Sequence, residues 1–199
     1  MARFNDKSLS YDQYASIQKE LGLNLIEMIP PKLYPRGIDL GCGTGFLGQQ
    51  LFKNKLITEL DCLDNSSEML NQCRLKLNEN NCHFIHANAE KNISNKVYDL
   101  IVSNLAMQWF DDISSTLQHW KSQLSEDGIL IASTLLQGTF QSLIDTYSDL
   151  KLPYPGLVYP SLVELQEKLK RHQDFLNDIP DGERLSLKGA DLRGAHLRG

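Results

Sequence analysis

Residues 39–45 read Asp39-Leu40-Gly41-Cys42-Gly43-Thr44-Gly45, and the short apolar stretch Gly37-Ile38 precedes them. An apolar run that leads into glycines and then into the helical spacing of residues 47–52 predicts a strand, a turn and a helix in that order. Glycine adopts backbone angles that other residues avoid, and it lets a ligand lie against the main chain. A turn that opens into a helix also presents unpaired N–H groups. The stretch therefore predicts a ligand-binding turn at the end of a first strand.

The same turn fits two classes of ligand. Residues 43–48 (GTGFLG) satisfy the dinucleotide pattern GxGxxG, with an acidic residue, Asp64, about 20 positions further on. Asp39 favours a different ligand, because its carboxylate would repel a pyrophosphate but attract an ammonium or a sulfonium. A purely structural turn is the remaining alternative.

Strands and helices alternate along the chain. Strands are predicted at residues 37–40, 59–63, 83–86, 98–103 and 129–133, and helices at residues 9–29, 47–52, 68–77, 113–124 and 162–169. Strands that are apolar on both faces imply a parallel sheet covered by helices. We expect an α/β fold: a doubly wound, mostly parallel sheet with helices on both faces, in which ligands bind beyond the carboxyl ends of the strands.

Polar residues follow three later strands of this predicted sheet. Asp64 comes at the end of the second strand, where a carboxylate could accept from ribose hydroxyls or cap the next helix together with Asn65 or Ser66. Asn88 follows the third strand and could pair with an adenine edge or serve as a turn residue. Residues 103–109 (SNLAMQW) follow the fourth strand, and Trp109 could line a pocket or belong to the core.

Composition excludes some classes of function. The 199 residues carry a net charge of −5 and are 41% apolar and 23% charged, so a broad basic face for nucleic acid is not expected. No apolar run reaches the roughly 18 residues that span a bilayer, and the amino-terminal residues do not resemble a secretory signal, so we predict a cytoplasmic protein. The four cysteines form no CxxC pair, which predicts reduced thiols and no metal site.

Four stretches together carry a family resemblance: residues 11–18 (YDQYASIQ), 39–45, 103–109, and 133–140 (STLLQGTF). The chain resembles the class I S-adenosylmethionine-dependent methyltransferases, and within them the malonyl-[acyl-carrier-protein] O-methyltransferases of biotin synthesis, over residues 3 to 170. The resemblance implies S-adenosylmethionine as cofactor and transfer of its methyl group to the free carboxylate of malonyl-acyl-carrier-protein or malonyl-CoA. A carboxylate is already ionised at pH 7, so no catalytic base is expected.

The resemblance also implies the site residues. Those expected to bind the cofactor are Asp39, Gly41, Cys42, Gly43, Gly45, Asp64, Asn65, Met69, Asn88, Ala89 and Asn104. Those expected to shape the substrate pocket are Tyr14, Gln18, Gln108 and Trp109. Two alternatives stay open: a methyltransferase that acts on another small acid or a quinone-like ring, and a catalytically impaired homologue that only binds the cofactor.

Three segments are predicted: residues 1–34 as a helical part that closes over the site, residues 35–171 as the cofactor-binding core, and residues 172–199 as an atypical tail. The tail departs from the family, which adds a closing hairpin after the last helix. Residues 186–197 resemble either a shortened family carboxyl terminus or the start of a five-residue repeat, with Leu187, Leu192 and Leu197 in step. A frayed tail is the third alternative.

Lys168, Lys170 and Arg171 are candidates for steering an acidic carrier protein.

Overall fold

A computed structural model describes residues 11–77, 81–91 and 96–167. The chain divides into two compact units, the first extending to Thr134 and the second starting at Leu135. The division into three segments that we made from the sequence stays a prediction. No helix within the described residues is long and apolar enough to cross a membrane.

The first unit contains a five-stranded sheet. The strands are β1 (Tyr34–Leu40), β2 (Ile57–Asp64), β3 (Cys82–His86), β4 (Tyr98–Asn104) and β5 (Leu124–Ser133). They lie in the order β3-β2-β1-β4-β5, and each neighbouring pair is parallel. The direction of winding reverses between β1 and β4, which is where an open α/β sheet forms a crevice beyond its strand ends. This topology confirms the predicted fold class.

Helices cover both faces of this sheet. They are α1 (Tyr11–Tyr14), α2 (Ser16–Glu27), α3 (Phe46–Lys53), α4 (Ser67–Lys76) and α5 (Ile113–Lys121), with a short 3₁₀ helix at Met107–Trp109. On one face, Leu100 and Val102 of β4 join the apolar cluster that α2, α3 and α4 complete. On the other face, Ile101 packs in the cluster that contains Trp120 of α5. Successive residues of a strand point to opposite faces, so a strand buried on both sides is apolar throughout.

Several predicted boundaries differ from the observed ones, and β1 begins at Tyr34 rather than at residue 37. The helix expected at residues 9–29 is two helices, because Ala15 has non-helical backbone angles between α1 and α2. Strand β5 begins at Leu124 rather than at residue 129, and its pairing with β4 is irregular between Tyr98 and Leu100. Helix α5 consequently ends at Lys121. Apart from Leu124, residues 124–128 (LSEDG) have the composition of a loop, and pairing with β4 makes them part of a strand.

The second unit holds α6 (Gln141–Asp149) and a helical turn at residues 162–167. Helix α6 was not predicted from the sequence. The backbone N–H of Gln137 donates to the carbonyl of Pro160 at 2.9 Å, which closes the loop around this helix. No strand occurs among the described residues 135–167. The tail at 172–199, together with Lys168, Lys170 and Arg171, lies outside the described residues.

Candidate ligand-binding site at the carboxyl ends of the strands

The glycine turn links β1 to α3 through three left-handed residues. Gly41, Gly43 and Gly45 have φ angles of 73°, 53° and 82°, a region that side-chain-bearing residues rarely adopt. The N–H groups of Gly41 and Cys42 donate to the carbonyl of Leu63 at 2.8 and 3.0 Å. The turn is therefore fixed to the end of β2, and Gly45 occupies the position that precedes the first residue of α3.

The three glycines are needed for different reasons. A Cβ atom at Gly41 would lie 2.4 Å from Cβ of Ala106, and one at Gly45 would lie 2.6 Å from Sγ of Cys73. A Cβ at Gly43 would meet nothing within 4 Å. Packing thus requires glycine at the two outer positions, whereas Gly43 borders open space. That space is where a ligand could approach the main chain.

Asp39 is a buried carboxylate with an unsatisfied oxygen. Its side chain lies near the end of β1 and is 1% exposed, and Oδ2 has no hydrogen-bond partner among the described residues. Burial raises the pKa of Asp39 well above its ordinary value, and the nearby Cys73 and Asp64 raise it further. A buried acceptor without a partner is unfavourable by about 1–3 kcal/mol. The arrangement fits a cationic donor that belongs to a ligand.

Asp64 ties the turn to the following helix. Its Oδ2 accepts from the N–H of Gly43 and its Oδ1 from the N–H of Ser66, each at 2.8 Å. Burial raises the pKa of Asp64, and the hydrogen bonds from Ser66 and Gly43 oppose that rise. Oγ of Ser66 then accepts from the N–H of Met69 and caps α4. A carboxylate has about four acceptor positions, so Asp64 keeps capacity for ligand hydroxyls.

The residues predicted to contact an adenine follow β3 at the same edge. Oδ1 of Asn88 accepts from the N–H of Glu90 at 2.8 Å, so part of its side chain is used in a turn. The carbonyl of the buried Ala89 accepts from Nε1 of Trp120 at 2.9 Å. The carbonyl of Asn65 pairs with Nε2 of His86 at 3.1 Å. Because β3 neighbours β2 in the sheet, Asn88 and Ala89 follow the strand next to the one that ends at Asp64.

Asn104 joins β4, β5 and α2 at the crevice. Its Nδ2 donates to the carbonyl of Gln18 at 2.9 Å, and its Oδ1 accepts from Oγ of Ser133 at 2.7 Å. Oγ of Ser133 also accepts from the N–H of Leu105, a non-glycine residue with a φ of 52°. A Cβ at Gly22 of α2 would lie 3.2 Å from Nδ2 of Asn104. The side chain therefore sets how closely α2 approaches the strand ends.

A polar contact that no sequence pattern predicted anchors α1 over the turn. Oδ1 of Asp12 accepts from Oγ1 of Thr44 at 3.0 Å, and Oδ2 accepts from Nζ of Lys76 at 2.6 Å. Lys76 also donates to Thr44 at 3.0 Å. Burial by itself raises the pKa of Asp12, but the bonds from Lys76 and Thr44 outweigh it and lower the pKa overall. Asp12 and Lys76 are 64 positions apart, so no local pattern could have revealed the contact.

The four residues predicted to shape a substrate pocket occupy different environments. Gln18 lines the cleft beside Asn104. Gln108 donates to the carbonyl of Leu105 at 2.6 Å, and its buried Oε1 has no hydrogen-bond partner in the described part of the chain. Tyr14 is 79% exposed and Trp109 is 55% exposed. The roles of all four in substrate binding stay predictions.

One cleft brings the central residues together. Six residues that were predicted as site residues line it: Asp39, Gly41, Cys42, Gly43, Asn104 and Gln18. The structure adds the polar residues Tyr11, Asp12, Lys19 and Thr44 and the apolar residues Ala15, Phe46 and Leu47. Burial raises the pKa of Tyr11, and the neighbouring carboxylates Asp12 and Asp64 raise it further. Helix α1 and the start of α2 thus form one wall of the cleft, and the glycine turn forms the other.

Two comparisons of sequence identify the kind of domain. Residues 38–132 match the family model described as a methyltransferase domain. A malonyl-[acyl-carrier protein] O-methyltransferase of Priestia megaterium is 34% identical over 175 residues, which are 83% of this chain and 64% of that protein. The enzyme of the same name from Bacillus anthracis is 32% identical and is matched over 75% of this chain and 57% of its own length. The chain thus spans about six-tenths of the length of these relatives.

Solved structures agree on the fold. The complex of DhpI with SAM and HEP superimposes with a TM-score of 0.65 at 15% identity and covers 86% of both chains. The plantazolicin methyltransferase BpumL, in complex with SAH and a monoazolic desmethylPZN analog, gives a TM-score of 0.60 at 19% identity, over 89% of this chain and 69% of that one. Together with the sequence matches, these structures confirm the resemblance that the motifs predicted: the chain carries a methyltransferase domain of the class I fold, related to the malonyl-[acyl-carrier protein] O-methyltransferases.

Proposed function

We propose that the protein transfers a methyl group from S-adenosylmethionine to the free carboxylate of a malonyl thioester, as the names of its relatives imply. Cofactor binding is supported most directly by the buried Asp39 carboxylate, which lies beside the glycine turn. Its Oδ2 has no hydrogen-bond partner among the described residues. An unsatisfied buried acceptor in a cleft is expected where a ligand donates in the bound state.

Residues of the cleft and of the neighbouring strand ends fit the parts of the cofactor. Asp39 would accept from the amino-acid ammonium, and Lys19 is a cleft cation that could pair with the amino-acid carboxylate. Gly43 leaves room for the ligand against the main chain. Asp64 would accept from the ribose hydroxyls, and Asn88 with Ala89 would border the adenine. When bound, S-adenosylmethionine supplies a methyl group on a positively charged sulfur.

The chain itself has little proton chemistry to perform. A malonyl carboxylate is ionised at neutral pH and needs no base to become a nucleophile. The residues of the cleft therefore have to align the acceptor oxygen with the methyl group and exclude water. The anchored helix α1, whose Asp12 and Tyr11 line the cleft, is suited to excluding water.

The acceptor requires a cationic partner for its carboxylate. Among the described residues, Arg36 pairs with Glu59 at 3.6 Å near the start of β1, and Arg74 lies 5.2 Å from the ring centre of Phe84. Neither arginine lines the cleft. We therefore assign neither arginine as the residue that pairs with the carboxylate of the methyl acceptor. A methyl-transfer assay has to distinguish the candidate acceptors.

The test is transfer of a labelled methyl group to three acceptors supplied separately: malonyl-acyl-carrier-protein, malonyl-CoA and a quinone-like ring. We expect label on a malonyl thioester, recoverable as a methyl ester, and none on the ring. Asp39→Asn, which keeps the size of the side chain but removes its charge, should lower transfer through weaker cofactor binding. Transfer to the ring alone would refute the malonyl assignment, and cofactor binding without any transfer would favour the impaired homologue.

A further inference from the structure

Three cysteines from separate elements converge beneath the glycine turn. Cys42 belongs to the turn itself, Cys62 to β2 and Cys73 to α4. Their exposed fractions are 7%, 0% and 0%. All three Sγ atoms lie within 4.8 Å of one another, and those of Cys42 and Cys73 are 4.0 Å apart. The spacing along the chain resembles no metal motif, which is why the sequence predicted no metal site.

The separation of these sulfurs is close to that of a metal thiolate centre. With a metal–sulfur bond of about 2.3 Å, two sulfurs lie about 3.8 Å apart in a tetrahedral centre and about 4.0 Å apart in a trigonal one. The Cys42–Cys73 pair already has the trigonal spacing. Since the other pairs are at most 4.8 Å apart, each sulfur would have to move by less than an ångström. No backbone rearrangement is needed to close the site.

We propose that Cys42, Cys62 and Cys73 form a three-sulfur binding site for a thiophilic metal ion of the Zn²⁺, Cd²⁺ and Cu⁺ class. Sulfur ligands select such soft ions over Mg²⁺ or Ca²⁺. The thiols that become ligands lose their protons to solvent, so binding is accompanied by proton release. The ion reaches the site through the cleft, because Cys42 is both a cleft residue and the most exposed of the three.

Simple core packing is the competing explanation. All three cysteines belong to the apolar cluster between the sheet and helices α2 to α4, and buried cysteine often serves as a small apolar residue. Packing alone gives no affinity for Cd²⁺ above that of scattered thiols, and it does not require the three sulfurs to act together. The proposal requires both, and it is independent of which molecule accepts a methyl group.

The experiment measures Cd²⁺ binding by the full chain, purified with a non-thiol reductant and freed of metal by a chelator. We expect one Cd²⁺ per chain, an ultraviolet sulfur-to-cadmium charge-transfer band, and proton release on binding. X-ray absorption at the cadmium edge should count three sulfur neighbours. Mg²⁺ in large excess should not displace the ion. These measurements use the unaltered protein and do not depend on whether a variant folds.

Variants then identify the ligands. Cys42→Ala and Cys73→Ala should each weaken Cd²⁺ binding at least tenfold. Cys82→Ala is the matched control: Cys82 is the remaining cysteine, its thiol contacts that of Cys62, and it is outside the three-sulfur cluster. It should bind Cd²⁺ as the unaltered chain does. Fewer than three sulfur neighbours, or an equal loss of affinity in Cys82→Ala, would overturn the assignment.

Discussion

The N–H of Gly43 donates a 2.8 Å hydrogen bond to Oδ2 of Asp64, which joins the turn after β1 to the end of β2. The other carboxylate oxygen accepts from the N–H of Ser66, the residue that caps α4. One side chain thus links the loops that follow β1 and β2. The sequence left two interpretations open for Asp64, a ligand contact or a helix-capping role. The cap is Ser66, whose Oγ accepts from the N–H of Met69, while Asp64 holds the N–H of Ser66; the ligand contact of Asp64 stays a prediction.

We expect Asp64→Asn to weaken cofactor binding more than it weakens the fold. Asparagine offers one acceptor oxygen, so either Gly43 or Ser66 loses its partner, and the free energy of unfolding should fall by about 1–2 kcal/mol. Cofactor affinity should fall at least tenfold, because the turn loosens and the ribose acceptor is weakened. Chemical denaturation and calorimetry measure the two quantities.

Asp99→Asn is the matched control for that substitution. Asp99 also accepts one backbone N–H, from Arg36 at 3.0 Å, and one further donor, Oγ of Ser125 at 2.8 Å, but it lies near the start of β4. The control should lose stability with little change in cofactor affinity. Equal losses of affinity in both variants would mean that Asp64 acts through general stability and not through the site.

Gly43→Ala and Gly45→Ala should separate binding from folding. Alanine at either position strains a left-handed residue, but only at Gly45 does the new methyl group collide, 2.6 Å from Sγ of Cys73. Gly45→Ala should therefore have the lower melting temperature of the two. Gly43→Ala should stay folded and bind cofactor at least tenfold more weakly, since its methyl group occupies the open space. A Gly43→Ala protein with unchanged affinity would place the ligand elsewhere.

Local patterns were enough to predict the sheet and the turn. The apolar strands around Ile38 and Ile101 alternate with helices, and that alternation implies a parallel sheet. The carboxyl ends of parallel strands share an edge, so chain order alone predicts that Asp39, Asp64 and Asn104 lie near one another. These parts of the fold follow from the order of the elements and the spacing of apolar residues.

Contacts between distant residues could not be predicted in this way. Asp12 reaches Lys76 across 64 positions, and the cysteines at 42, 62 and 73 meet only because the turn, β2 and α4 pack together. The boundary of β5 was wrong for a related reason, since pairing with β4 overrides the loop-like composition around Gly128. Packing decides these features, and a single sequence carries no periodic signal for them.

Asp39→Asn should stabilise the free protein while it weakens cofactor binding. The pKa of Asp39 is raised in the folded state, so the folded chain holds a proton that the unfolded chain releases once the pH exceeds the ordinary aspartate pKa. Stability therefore falls as the pH rises above that value, up to the raised pKa. Asparagine does not titrate and removes this pH-dependent loss, so we expect Asp39→Asn to be the more stable protein at neutral pH, measured by denaturation. A less stable Asp39→Asn protein would show that the carboxylate is satisfied in the free chain.

The same shift predicts that cofactor binding releases a proton. Asp39 must be ionised to pair with an ammonium, so affinity should increase as the pH rises towards the raised pKa and then level off. Calorimetry in two buffers with different heats of ionisation detects the proton directly. Asp39→Asn provides the control and should show a smaller proton release with flatter pH dependence. An identical proton count in the two proteins would assign the release to another group, such as Asp64, whose pKa is also raised.

Asp12→Asn should loosen helix α1 without unfolding the sheet. Asp12 holds the helix to Thr44 and Lys76, and because its side chain is 38% exposed we expect a modest effect, below about 1 kcal/mol. Amide exchange in α1 should accelerate, and the cofactor should dissociate up to about fivefold faster because Tyr11 and Asp12 line its cleft. The pKa of Asp12 is lowered, so the anchor is present at neutral pH and is lost only as the pH falls through that lowered value. Glu20→Gln makes the same charge change at an exposed position on α2 and should leave both rates unchanged. If the two variants behave alike, net charge and not the Asp12 anchor controls the cleft wall.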